Sequence, residues 1–135
     1  MALTIICVCG TSSTGKSSTI RAFTERYLRY RKETGDVRGV FQMPNRYYAV
    51  GVSSTGDHRQ AVRDGLTFLH RFRGIRVMIV ACHLRGETRD EIEQFAKKAR
   101  TKPLYVCTVK VVGDAKQKAA IAENIRKIKR LMPPA

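Results

Sequence analysis

Between Gly10 and Ser17 the chain reads G-T-S-S-T-G-K-S, with glycines at 10 and 15, a lysine at 16 and a hydroxyl at 17. Glycines in these places let the backbone curl until successive N–H groups point at one spot. Lys16 can carry a positive charge to the same spot, and the Ser17 hydroxyl can ligate a divalent cation. The apolar run Leu3–Cys9 before the loop has the length and composition of a buried parallel strand. Ile20–Tyr30 after it has helical periodicity. A helix that starts at the loop adds the positive end of its dipole. Strand, glycine-rich turn and helix together make an anion site, and the anion expected is a phosphate.

Over Leu3–Ser18 the chain resembles the P-loop nucleoside-triphosphatase superfamily, whose G-x-x-x-x-G-K-[ST] pattern is matched at every fixed position. The resemblance implies ATP or GTP with Mg²⁺. It assigns nucleotide binding to Gly10, Thr11, Ser12, Ser13, Thr14, Gly15, Lys16, Ser17 and Ser18, with Ser17 as a metal ligand. It also implies a parallel sheet flanked by helices, and it leaves kinase, GTPase and ATPase open.

At 135 residues, 43% of them apolar, the chain reads as a single domain over 1–135 with a core of its own. No apolar run reaches the length of a membrane span, and Met1–Cys9 leads straight into the loop as a first strand. Cys7, Cys9, Cys82 and Cys107 fall in apolar runs without a C-x-x-C pair. They read as small buried residues of a reducing cytoplasm. The charge is unusual: 26 Lys and Arg against 11 Asp and Glu, a net +15. Such a surface attracts polyanions, so nucleic acid is a candidate partner, with a solvated basic surface as the alternative.

Downstream, Ile20, Phe23, Tyr27 and Tyr30 make one helical stripe, Glu25 stands four residues before Arg29, and Gly35 ends the helix. Val37–Met43 and Arg46–Val52 read as two strands around a Pro44-Asn45 turn, too close together to be anything but antiparallel. Arg59–Phe72 reads as a helix and Ile75–Cys82 as a nearly continuous apolar strand. Thr88 and Glu91 suggest a capping box for the next helix, whose buried face is Ile92, Phe95, Ala96 and Ala99. Leu104–Val112 reads as the last strand. Asp114 caps a final helix with Ile121, Ile125, Ile128 and Met132 at helical spacing. Its opposite face carries Lys116, Lys118, Arg126, Lys127, Lys129 and Arg130, a phosphate-contacting surface without interleaved aromatics.

The order β-loop-α-β-β-α-β-α-β-α predicts a three-layer α/β/α P-loop fold, a five-stranded mostly parallel sheet in the order 2-3-1-4-5, with strand 2 antiparallel. The hairpin after the first helix resembles the small-GTPase layout, in which a D-x-x-G turn follows the third strand. Here that region is Ser53-Ser54-Thr55-Gly56-Asp57. Asp57 is the nearest carboxylate and is expected either to share the metal with Ser17 or to cap the next helix. The strand ending Ala81-Cys82-His83 also lacks an acid. Arg85, in L-R-G-E-T, stands where an arginine can reach a transferring phosphate. Thr108-Val109-Lys110-Val111 lacks the amide and acid of a guanine-reading motif, which favours ATP. The catalytic set is therefore Lys16, Asp57 and Arg85, for slow hydrolysis or phosphate transfer. A non-catalytic nucleotide-dependent nucleic-acid-binding or adaptor protein and a divergent small GTPase are the alternatives.

Overall fold

A computed structural model describes residues 3–11 and 14–134 of the chain. In order the elements are β1 (Thr4–Cys9), α1 (Lys16–Tyr27), β2 (Arg38–Gln42), β3 (Ala49–Ser53), α2 (Arg59–His70), β4 (Ile75–Cys82), α3 (Glu87–Lys98), β5 (Pro103–Cys107) and α4 (Asp114–Leu131). The alternation of strand and helix expected from the sequence is therefore present.

The five strands form one mixed sheet in the order β2-β3-β4-β1-β5. β1 runs parallel to β4 and to β5, and β3 runs parallel to β4. Only β2 is antiparallel, paired with β3 as the hairpin requires. The expected order 2-3-1-4-5 is corrected: β4 lies between β3 and β1. Ile5–Cys9 and Val77–Cys82 are both buried without a break, and either order gives both strands partners on both edges as well as cover on both faces. What decides the order is that β5 pairs with β1 and β3 with β4. β5 is half-exposed at Leu104 and open at Cys107, which suits an edge. β1 and β4 are equally apolar in sequence, so periodicity alone does not rank them.

Alternation along β1 divides the core in two. Ile6 and Val8 face α1 and α4, packing with Ile20, Phe23 and Ile128. Ile5, Cys7 and Cys9 face α2 and α3, packing with Val62, Leu66, Leu69, Ile92 and Ala96. No helix among the described residues is long and apolar enough to cross a membrane.

Several local expectations change. α1 starts at Lys16, inside the glycine motif, and ends at Tyr27 rather than Tyr30. Arg29 adopts φ 57°, so the chain has left the helix before the Glu25–Arg29 spacing can act; Glu25 instead approaches Arg31 at 3.9 Å. β5 stops at Cys107 rather than Val112, because its one neighbour, β1, ends at Cys9. Cys107 is consequently exposed, not core. His58 and Gly113, not Asp57 and Asp114, stand at the caps of α2 and α4.

The capping box at Thr88 and Glu91 does not form either: Gly86 precedes the helix, and both side chains are used elsewhere. Thr88 Oγ1 accepts from the His83 N–H at 2.9 Å. Glu91 accepts from Arg59 Nε at 3.2 Å and Arg63 Nε at 2.9 Å, clamping α3 to α2. Burial pushes the Glu91 carboxyl up, but the two guanidinium partners outweigh it and hold the group below the usual carboxylate range. Its stabilisation is thus complete at neutral pH and lost as pH falls through that depressed value. Glu91→Gln should destabilise the fold by about 2 kcal/mol near neutrality. Urea melts of both proteins at about pH 7 and about pH 3 should show the difference shrinking in acid.

Candidate functional site

The ends of β4, β1 and β5 meet at Gly10. Its N–H donates to the Cys82 carbonyl at 3.2 Å, and the Thr108 N–H donates to the Cys9 carbonyl at 2.7 Å. A Cβ at Gly10 would collide with the hydroxyls of Thr108 and Thr14. Those hydroxyls lie 2.6 Å from each other, and Thr14 Oγ1 also donates to the Thr11 carbonyl at 2.8 Å. The exit of β1 is therefore seated between its two neighbours, and a side chain there has no room. Ser12 and Ser13 lie outside the described residues.

Gly15 has φ 89° and ψ 26°, a left-handed conformation that costs a glycine little, and it is the N-cap of α1. The Thr19 N–H closes the first turn onto the Gly15 carbonyl at 2.8 Å. Lys16, the first helical residue, is 7% exposed. Its Nζ is buried and has no hydrogen-bond partner among the described residues. A buried ammonium without an anion is costly. Here the ammonium lies beside the positive end of a helix, and a phosphate is a ligand that satisfies both. The charge is felt at Cys82: hydrogen bonding with Cys7 lowers that thiol against its own burial, and Arg89 and Lys16 lower it further. Burial pushes the neighbouring Cys9 thiol up to about 12, which keeps it protonated.

Ser17 is half-buried, and its hydroxyl donates to Asp36 Oδ1 at 3.2 Å. The buried Ser54 hydroxyl donates to the same oxygen at 2.9 Å. Backbone bonds hold this arrangement: the Val37 N–H donates to Ser54 Oγ at 2.8 Å, and the Ser54 N–H to the Val37 carbonyl at 2.9 Å. Arg21 donates to the Gly35 carbonyl, tying the segment before β2 to α1, and Lys32 donates to the Asp36 carbonyl within that segment. Sequence reasoning missed Asp36. It belongs to no motif and stands 19 residues after Ser17; its one signal is a Gly-Asp step just before an apolar run. No group of three or more His, Cys, Asp or Glu among the described residues could hold a metal by itself. The Asp36 carboxylate and the Ser17 hydroxyl are the groups here that could hold a hard divalent cation.

Asp57 is 81% exposed and faces His83, with Oδ1 4.0 Å from Nε2. That distance is too long for a hydrogen bond, and His83 Nε2 is itself buried without a partner among the described residues. Because β4 borders β1, His83 stands one residue beyond the carbonyl that holds Gly10. The Ser54 hydroxyl, three residues before Asp57, points to Asp36 instead. Arg85 is exposed in the short β4–α3 connection. Its neighbour Arg89 is committed to structure, bonding the Leu84 carbonyl at 2.8 Å and Glu93 at 3.2 Å and lying over the Tyr105 ring at 4.0 Å.

On the other side of the loop a cavity of about 290 Å³ opens against Gly15, Ser18 and Thr19. Val109, Lys110 and Val111 form one wall, and Gln117, Ala120, Ile121 and Asn124 of α4 form the other. Asn124 is 8% exposed. The stretch that lacks a guanine-reading motif therefore lines this cavity, with amides supplied by α4. Lys116, Lys118, Arg126, Lys127 and Arg130 are exposed on α4, away from the cavity, and Lys129 is half-buried.

Comparison with protein-family models, with curated proteins and with solved structures finds no match for this chain.

Gly10→Ala should cost about 1–3 kcal/mol, because the new methyl must push apart the Thr14–Thr108 contact at the mouth of the sheet. Thermal unfolding measures the loss, and Thr108→Ser should be much milder at the same contact.

Proposed function

We propose that this chain binds a nucleoside triphosphate with magnesium, its phosphates held at Gly10–Ser18. The observation that carries the reading is Lys16: a lysine ammonium buried, without a partner among the described residues, at the start of a helix whose cap is a left-handed glycine. The Gly10–Ser17 match supports the same reading from the sequence side. In this proposal Ser17 and Asp36 hold the metal, with Ser54 orienting the Asp36 carboxylate. The nucleoside occupies the cavity between Val109–Val111 and α4, whose volume is near the lower end for ligand clefts. Its apolar walls take the face of the base, and Gln117 and Asn124 meet its edge. Without a fixed acid to pair with guanine, ATP is the preferred nucleotide, at least as tight as GTP.

Phosphate transfer to water or to an acceptor hydroxyl is proposed as the slow reaction of the bound complex. Lys16 and the metal offset charge on the transferring group. His83 lies on the sheet edge beside the loop with the Asp57 carboxylate 4.0 Å away, and the exposed Arg85 can close over the phosphate.

Replacing Lys16 separates ligand binding from fold stability. Lys16→Met removes a buried charge that lacks a partner among the described residues, so the ligand-free protein should be more stable by about 1 kcal/mol. The same variant should lose the stabilisation that ATP and magnesium confer on the native chain, about 2.7 kcal/mol at a hundred times the dissociation constant. Thermal shift with and without ATP reads both effects. An unchanged ATP response in the variant puts the site elsewhere.

Asp36→Asn should weaken the magnesium dependence of ATP binding tenfold or more, about 1.4 kcal/mol, while binding without metal stays as it was. Titration calorimetry at several magnesium concentrations measures this. Asp57→Asn should leave the metal dependence alone and lower turnover; the reverse pattern would return the metal to Asp57.

A further inference from the structure

The two helical layers differ in charge. α1 and α4, on one face of the sheet, carry nine Lys and Arg against three Asp and Glu. α2 and α3, on the other face, carry five against five. Ion pairing deepens the contrast. Arg59 and Arg63 are taken by Glu91, and Arg89 by Glu93. On α4, Glu123 takes Arg126 and Arg130, while Lys116, Lys118 and Lys127 have no ion-pair partner among the described residues. The seam between the two basic helices is continuous: Arg26 of α1 and Lys129 of α4 both lie over the Tyr27 ring, at 5.6 and 5.9 Å.

We infer that the α1–α4 face binds the phosphate backbone of a nucleic acid. α4 has 18 residues, so it is about 27 Å long. That span matches about eight base-pair steps of a duplex strand. Its apolar residues Ile125 and Ile128 pack into the core, and its inner wall lines the cavity beside Gly15. The charged face left to solvent is therefore mainly cationic, six Lys and Arg against Asp114 and Glu123, with no stripe of large apolar residues to enter a bilayer. An interfacial membrane helix needs such a stripe; a nucleic-acid backbone does not. Tyr27 is half-buried under two cations, so it offers no free ring for base stacking. Contacts are to phosphate, which position the protein without selecting a sequence. This inference rests on the charge of one layer and holds whether or not the cavity takes a nucleotide.

The test is fluorescence anisotropy of a labelled short duplex DNA, titrated with the full chain at several salt concentrations. Binding should weaken linearly on logarithmic axes, by about 0.9 per phosphate contacted. Four contacts give about a 150-fold loss between 50 and 200 mM salt. Neutralising Lys116, Lys118 and Lys127 together to Gln should weaken binding at least tenfold and make the slope shallower by about 2.7. A control triple on the opposite layer, Lys97, Lys98 and Lys102 to Gln, removes the same charge and should change binding less than twofold. Unfolding midpoints verify that both triples fold. Equal losses in the two triples would reduce the effect to net charge and overturn the assignment of the face. So would the absence of binding by the native chain at low salt. Retention on phosphatidylserine vesicles without DNA binding would overturn it in favour of a membrane surface.

Discussion

Three backbone strands converge at one point because β1 is hydrogen-bonded in parallel to β4 on one side and to β5 on the other. Their carboxyl ends then stop at the same height, where Gly10 bonds Cys82 and Thr108 bonds Cys9. The glycine loop, His83 and one wall of the cavity depend on that convergence. The loop leaves from β1, His83 from β4, and the Thr108–Val112 segment that walls the cavity from β5. Open parallel sheets concentrate ligand chemistry at this edge, since the chain must turn there and its backbone groups are left unpaired. Placing β5 rather than β3 beside β1 exchanges one neighbour for another without changing the strand count. It puts Thr108, rather than the exit of β3, beside the glycine loop.

The second organising feature is the cost of Lys16. A fold of this size gains most of its stability from apolar burial, and a buried ammonium without a partner works against that gain. The surrounding structure tolerates it because the rest of α1 is well anchored: Ile20 and Phe23 are fully buried against the sheet. The helix thus holds a charge in place at its first turn. The hydroxyl of Ser17, one residue on, turns to Asp36, so two successive side chains at the helix start serve an ammonium site and a carboxylate site. α4 divides its work by face. Its inner side closes the core and the cavity, and its outer side carries charge that the other helical layer lacks.

Much of this was legible in the residues alone. Gly10–Ser17 announces a tight turn leading into a helix, and Gly15 in the left-handed region at the start of α1 is that turn. The hairpin follows from the short Pro44-Asn45 connection, and the apolar stripes place four helices. Ile75–Cys82 is recognisable as a buried strand to the residue. The basic face of α4 is also visible, since helical spacing separates Ile121, Ile125 and Ile128 from the cations.

What the tertiary structure decided are the pairings between segments distant in the chain. Strand order depends on which of two interior strands borders β3 and which borders β5, and hydrophobicity does not distinguish β1 from β4. Asp36 reaches Ser17 only because α1 crosses to the far hairpin and the segment before β2 returns along it. Thr88 and Glu91 satisfy a local capping pattern, yet His83 and two arginines of α2 compete for them and win through contacts that exist only in the folded chain. The neutral character of the α2–α3 layer likewise requires knowing which helices share a face. Local spacing fixes what each segment can do, because its geometry is set within a few residues. Partners across the sheet are set by how the layers pack, and that is a property of the whole chain.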